Sequence, residues 1–326
     1  MSRGRLSAEQ VQALSEALGP RLQRAVPLAS YTAARIGGPA DYLIVVRSRE
    51  DLAAAARLLW QVRAPFRVIG GGSNLLVADA GVREVVMLNQ ARRVRFAADD
   101  EEMPWVWAES GAALGSVARR AVERGWSGLE WAATVPGTVG GAVVGNAGAF
   151  GGDMAHSLHR AEVVVQGGES ETWPVSRLDY AYRDSWLKRN PGTAVVLSAT
   201  MALTRSTPEA TRARVAEFVA QRQQTQPGGA SMGSMFKNPP GDHAGRLIEA
   251  AGLKGLRQGG AQISIRHANF FINLGGATAA DVWALIETAR NKVAQEFGVN
   301  MELEVERIGD WPEEEGVPAS SRRGAS

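Results

Sequence analysis

The sequence predicts an α+β protein in two or three parts, and three observations carry that prediction. Strand patterns at 85–88, 94–97 and 105–108 follow one another with no helix between them, which excludes a repeating strand-helix-strand plan. A segment with seven glycines in 19 residues, "TVPGTVGGAVVGNAGAFGG" (134–152), then breaks the periodicity. Beyond it, "TPEATRARVAEFVAQRQQT" (207–225) opens a section of different character, a long charged helix capped by Thr207 with Pro208 in its first position. A chain of 326 residues has ample material for separate cores.

The first 26 residues predict a helix and a loop, stopped at Gly19-Pro20. "DYLIVV" (41–46) is a strand, and "SREDLAAAARLLWQ" (48–61) is a helix with Ser48 as its cap and Asp51 in its first turn. "FRVIG" (66–70) is a buried strand that runs into Gly71-Gly72. "VVML", "VRFA" and "WVWA" are the successive strands already named, and "LGSVARRAVERG" (114–125) is an amphipathic helix closed by Gly125. Strands resume at "AEVVVQG" (161–167) and "AVVLSATMALT" (194–204). After the boundary helix come a short helix near 244–251, a strand "QISIRHANFFIN" (262–273), a helix 278–298 between Thr278 and Gly298, and a last strand "MELEVERIG" (301–309). Residues 312–326 are polar and expected to be disordered. There is no internal repeat.

Composition narrows the function classes. Apolar residues make up 45% and charged residues 21%, as in folded soluble proteins. The net charge of +2 and the scattered Arg92-Arg93, Arg119-Arg120 and Arg322-Arg323 pairs build no basic face, so no nucleic-acid partner is expected. The absence of cysteine excludes disulfides, thiolate nucleophiles and cysteine-ligated metals, and fits a cytoplasmic setting. No window of 18 apolar residues suggests a membrane span, and no obligate protein partner is visible. His156 and His159 could share a helical face, but with no third ligand in view no metal site is expected.

Two glycine loops carry the chemistry. "GGGSNLLV" (70–77) follows a buried strand, so the amides of Gly71, Gly72, Ser73 and Asn74 can form a nest for an anion. The longer loop is mildly apolar and suits a flat ring. The pattern G-x-x-x-x-G-K-[ST] is missing, and no G-x-G-x-x-G joins a strand to a helix, so neither common nucleotide fingerprint applies. Two such loops in one region favour a bound dinucleotide over ordinary tight turns.

Seven stretches in collinear order extend this reading: "ARIGGPAD" (34–41), "GGGSNLLV", "VPGTVGGAVVGNAGAFGG", "YRDS" (182–185), "GSMFKNP" (233–239), "HANFFIN" (267–273) and "LEVERIG" (303–309). Together they resemble the UDP-N-acetylenolpyruvoylglucosamine reductase family, flavoenzymes of peptidoglycan precursor synthesis. The likeness runs from about Pro27 to Gly309 and is to the second, short-loop type, because 185–233 has no room for the first type's tyrosine loop. It implies an FAD-binding domain of the vanillyl-alcohol-oxidase (PCMH) type over 27–206, with two α+β subdomains split near 80–90, and a C-terminal α+β substrate domain over 207–311. FAD would be non-covalent, with its pyrophosphate on Gly70, Gly71, Gly72, Ser73 and Asn74. Gly137, Thr138, Gly140, Gly141, Gly145 and Ala147 would wrap the remainder, and Val196 would touch the isoalloxazine or ribityl region.

The reaction implied by the resemblance reduces the enolpyruvyl ether of a UDP-sugar, giving UDP-N-acetylmuramate. Hydride passes from NADPH by way of FAD to the β-carbon, charge runs through the α-carbon onto the carboxylate, and a proton arrives at the α-carbon. This needs charge stabilisers in place, a positioned proton donor and limited water. Ser234 matches the family's donor, with Lys237 and ordered water as support for the transient alkoxide; the bland alternative is a hydroxyl bonded to backbone in a Gly-Ser turn. Arg183 matches the catalytic arginine, against a plain salt bridge with Asp184 or Asp179. Glu304 matches the catalytic glutamate, which predicts a raised pKa; in a strand it shares a face with Glu302 and Glu306, both expected at the surface. Lys237, Asn238, Tyr182, Arg266 and His267 fall at substrate contacts, while the residues gripping the diphosphate stay unassigned. Leu187, Met301 and Ala34 depart from the family pattern without removing any of these groups. Two other readings compete: an FAD-dependent oxidase of the same superfamily, and a nucleotide-sugar binding protein without turnover.

Overall fold

The computed structural model describes residues 4–98 and 101–312; residues 313–326, most of the predicted disordered tail, lie outside the described residues. The first sheet runs in the order Gln23–Pro27, Pro39–Val46, Val82–Asn89, Phe66–Ile69. Its first pair is antiparallel and the others parallel. Alternate residues feed opposite faces: Ile44, Val85 and Met87 enter one core, and Leu43, Val86 and Leu88 enter another. The N-terminal segment is thus more than a helix and a loop. Residues 23–27 complete this sheet, a pairing that no local pattern announces.

A second sheet of five antiparallel strands runs Ser170–Pro174, Leu158–Val165, Ala194–Ala202, Trp105–Glu109, Val94–Phe96. The helix Arg49–Gln61 is wedged between the two sheets, and Ser48 caps it by accepting the Asp51 N–H at 3.1 Å. Its alanines explain the fit. Ala53, Ala55 and Ala56 share one core with Ile44 of the first sheet and with Val195 and Leu197 of the second, so small side chains let both layers approach.

The helix Pro208–Thr225, read from the sequence as the start of a new section, packs on the second sheet's core. Phe218 joins that core and stacks on Phe150 at 4.5 Å, and Thr211 donates to the Val122 carbonyl at 2.8 Å. The change of core therefore comes after this helix. The third unit has the strand order Ala230–Ser234, Phe270–Asn273, Ala261–Ile263, Arg257–Gln258, covered by the helices Ala244–Ala250 and Ala279–Phe297. The single strand expected over 262–273 is two strands around a turn.

The expected last strand is also shorter. Only Glu306–Ile308 is a strand, and it pairs in parallel with Leu75–Val77 of the first unit. A second tie lies close by. Asp79 accepts the N–H groups of Ala279 and Ala280 at 2.8 and 2.9 Å, capping a third-unit helix from the first unit. His156 sits in the short helix Met154–Ser157 and His159 in the following strand, so they share no helical face, and no three-residue metal cluster occurs among the described residues. No helix among them is long and apolar enough to cross a membrane.

Replacing Asp79 by Ala removes two acceptors from a helix terminus and should cost about 1 kcal/mol in urea unfolding. An unchanged midpoint would show that the cap does not hold the third unit.

Candidate active site

The two glycine loops meet. A Cβ on Gly70 would overlap the Thr138 hydroxyl, one on Gly71 would stand 3.2 Å from Gly137 Cα, and one on Gly137 would reach Ser73 Oγ at 2.7 Å. Gly72 takes φ +58°, and a Cβ there would strike the Tyr31 carbonyl. The N–H groups of Gly71, Gly72, Ser73 and Asn74 have no acceptor among the described residues. The longer loop is not all loop: Val139–Gly145 is a helix, capped by Thr138 accepting the Gly141 N–H. Glycine disfavours helix, but here it permits contact; Gly140 donates to the Ser110 carbonyl at 2.8 Å, where a Cβ would meet Ser110. Gly145 faces open space. Ala147 is half-buried beside this helix, and its N–H closes on the Ala142 carbonyl at 3.0 Å. The Val196 side chain lies in the second sheet's core with 6% exposure.

The segment Ser234–Asn238 is clamped from two sides. Buried Asn269 accepts the Phe236 N–H at 2.9 Å and donates to the Phe236 carbonyl at 2.8 Å. On the other side Lys237 N–H donates to the Glu302 carbonyl and Glu304 N–H to the Met235 carbonyl. Ser234 sits at the end of its strand opposite Phe270, beside Gly233 at φ +80° with open space around it. Its hydroxyl makes no hydrogen bond within the described residues, so the backbone-bonded alternative is not what the structure contains. Lys237 Nζ lies 3.0 Å from exposed Glu302, and Asn238 Oδ1 accepts the Ala244 N–H at 3.1 Å.

Glu304 is the least exposed acid of its segment, at 17% against 73% for Glu302 and 48% for Glu306. Its Oε1 lies 2.9 Å from Arg183 Nε; the contact is ionic, with the buried N–H not aimed along a hydrogen bond. Asp179 and Asp184 pair with Arg189 instead, which removes the plain salt-bridge reading of Arg183. Burial raises the Glu304 pKa above the ordinary carboxylate value, and Arg183, Lys188 and Lys237 pull it back. These groups border a cavity of about 470 Å³ lined by Asp184, Lys188, Lys237 and Glu304. Tyr182 is 56% exposed, with the Arg183 guanidinium 5.7 Å from its ring centre.

Arg266 and His267 stand apart from this cluster. Arg266 donates to the carbonyls of Gln223 and Gln226 at the end of the helix Pro208–Thr225. His267 packs edge-on against Phe270 and accepts the Asn269 N–H, and burial lowers its pKa. Two residues, Asn269 and Lys188, are not foreseen from the sequence, and Asn74, expected only in the anion nest, has a second contact. Asn74 reaches beyond its own loop to donate to the Glu304 carbonyl at 3.1 Å; Asn269 holds the Ser234 segment; Lys188 donates to the Arg183 carbonyl at 2.9 Å. Asn269 and Lys188 stand inside or beside quoted motifs, but their partners are distant or on the main chain, which spacing does not reveal.

Residues 223–308 match the family model for the UDP-N-acetylenolpyruvoylglucosamine reductase C-terminal domain, and residues 40–172 match that for an FAD binding domain. A reductase of that name from Chloroflexus aggregans is 44% identical over 299 residues, covering 90% of this chain and 100% of its own. The chain belongs to the UDP-N-acetylenolpyruvoylglucosamine reductase family. A second relative, from Symbiobacterium thermophilum, is 43% identical over 90% of this chain and 94% of its own. Among solved structures, the reductase from Thermus caldophilus is 38% identical with a TM-score of 0.75, covering 88% of this chain and 99% of that one. The fold is thus the FAD-binding fold of this reductase family, and the family's enzymes are FAD-dependent oxidoreductases. The residues fit that cofactor: the amides at 71–74 are left without an acceptor among the described residues and so are available to an anion, and glycines 70, 71 and 137 stand where a side chain would collide with the facing loop.

Gly70→Ala should cut the flavin retained on purification at least several-fold while the chain stays folded, read as flavin absorbance against protein absorbance with circular dichroism as control. Glu304 makes a signed prediction. Its folded pKa is raised, so the stability it allows is complete below the unfolded value near 4.5 and is lost as pH rises through the folded value. The melting temperature of Glu304→Gln minus that of the native protein should therefore increase from pH 4.5 towards neutrality. A pH-independent difference would contradict the raised pKa.

Proposed function

We propose that this chain is a cytoplasmic reductase that converts UDP-N-acetylglucosamine enolpyruvate to UDP-N-acetylmuramate, with NADPH as reductant. The observation that carries the reading is the half-buried Arg183–Glu304 pair, whose Glu304 lines a cavity together with Lys237 of the Ser234 segment. FAD, when bound, supplies the hydride chemistry between NADPH and the β-carbon of the enol ether. The chain's own residues handle charge and proton. As electron density reaches the substrate carboxylate, the Arg183 guanidinium is a preorganised stabiliser. Glu304 in its protonated form donates a hydrogen bond to the same carboxylate, and its raised pKa keeps that form accessible. Ser234 gives its proton to the α-carbon. That carbon is a strong base at this stage, so a weak acid suffices when it is held in place. The unengaged Ser234 hydroxyl supports the role, because a donor tied to backbone would have to break a bond first.

Lys237 enters with Glu302 already beside it, so its part is to steady the Ser234 segment and to face the substrate's negative groups. Asn238 uses its oxygen on the helix Ala244–Ala250 and has its N–H groups left for the substrate. The binding-only reading would leave an ion pair at half-buried depth without a purpose, and the oxidase reading would leave the Ser234 segment unexplained.

With Ser234→Ala, NADPH should still bleach the bound flavin, while re-oxidation by the enolpyruvyl sugar nucleotide should fall about 100-fold or more in stopped flow. Loss of both half-reactions would make Ser234 structural. A native enzyme whose NADPH oxidation does not respond to the sugar nucleotide would sink the assignment.

A further inference from the structure

Lys188 lines the same cavity as Glu304. It lies on the short helix Trp186–Arg189, which follows the turn Ala181–Asp184. That turn is closed by reciprocal bonds, Ala181 N–H to the Asp184 carbonyl and Asp184 N–H to the Ala181 carbonyl, each 3.1 Å. Arg183 therefore takes φ +57°, a left-handed backbone that is uncommon for a side chain of its kind. Asn146 donates to the Ala181 carbonyl at 2.9 Å and Ser185 to the Val144 carbonyl at 2.6 Å, so both flanks of the turn are anchored. The Arg183 carbonyl takes no part in that closure, and Lys188 Nζ donates to it at 2.9 Å.

Of the other cations at this cavity, three face acids and Arg307 lies over the rings of Trp283 and Trp311. Arg189 holds Asp179 and Asp184, Lys237 holds Glu302, and Arg183 faces Glu304. Lys188 has no carboxylate within ion-pair distance among the described residues, and it lines the cavity that holds Glu304. A partly buried ammonium directed at a carbonyl is a costly arrangement unless it maintains something. Burial and Lys237 both disfavour its charged form, against weaker help from Asp184, Glu306 and Glu304.

We propose that Lys188 is the positioning residue of this site: by holding the Arg183 carbonyl it keeps the left-handed turn that turns the Arg183 guanidinium towards Glu304. The catalytic consequence rests on the roles given above to Arg183 and Glu304; the positioning itself does not.

The test uses the full-length flavin-loaded protein with two readouts. In arginine-labelled protein, the Arg183 Nε–Hε resonance, assigned with Arg183→Lys, reports the buried contact with Glu304. Lys188→Met should shift this resonance and speed its solvent exchange about ten-fold or more, and Lys188→Arg should restore it. In stopped flow, Lys188→Met should slow flavin re-oxidation by the enolpyruvyl sugar nucleotide about ten- to 100-fold, with reduction by NADPH within about two-fold. An unmoved resonance with native rates overturns the proposal. A moved resonance with native rates supports the positioning and sinks the catalytic reading of Arg183. If Lys188→Met does not fold, Lys188→Gln removes the charge, keeps a polar group, and is judged by the same readouts.

Discussion

Glu304 is the point on which the rest of the molecule depends. Its N–H is given to Met235 of the third unit, its carbonyl is taken by the Asn74 side chain of the first, and its carboxylate faces Arg183, which lies between two strands of the second sheet. A carboxylate held this far from water is unfavourable by itself and tolerable only with a counter-charge at hand. The site therefore has no meaning inside one unit. It exists when three packed bodies bring backbone, amide and guanidinium to one residue.

The architecture serves that convergence. The alanine-rich helix Arg49–Gln61 locks the two sheets together, which brings the glycine loops that follow Ile69 and Val135 into contact. The third unit is then fixed to the first by the pairing of Glu306–Ile308 with Leu75–Val77 and by the Asp79 cap. Arg67 joins Glu84 and Glu306 across the same seam. Backbone pairing and helix capping are directional, so they set the position of Glu304 more tightly than apolar contact alone would.

What the sequence made legible was local. Ser48, Thr207 and Thr278 cap the helices that follow them, because a cap needs only its next three residues. The glycine loops could be read because glycine density has few other causes. Pairings across long stretches could not be read. The strand Gln23–Pro27 is mostly exposed, and its partner chooses it. The helix Val139–Gly145 runs against its own glycine propensity and is enforced by Ser110 and Ala112. The side of Glu304 that matters is not set by strand alternation, since 301–305 is irregular; it is set by Met235 and Asn74. At the site, Ser234, Arg183 and Glu304 were named through resemblance, whereas Arg266 and His267 point elsewhere and Lys188 went unnoticed because its partner is a carbonyl.

The bond from Asn74 to the Glu304 carbonyl spans 230 residues. Synthesis runs from the N-terminus, so the cradle loops leave the ribosome long before the glutamate does. The first two sheets can collapse early, but the edge strand Leu75–Val77 must wait for nearly the whole chain before its partner arrives. During that interval the strand offers an unpaired edge, and it is short, three residues long, which limits what else can bind there. The enzyme is thus assembled in the order opposite to risk. A nascent chain holds the paired glycine loops before the Arg183–Glu304 contact can form, and that contact arrives only with the last strand.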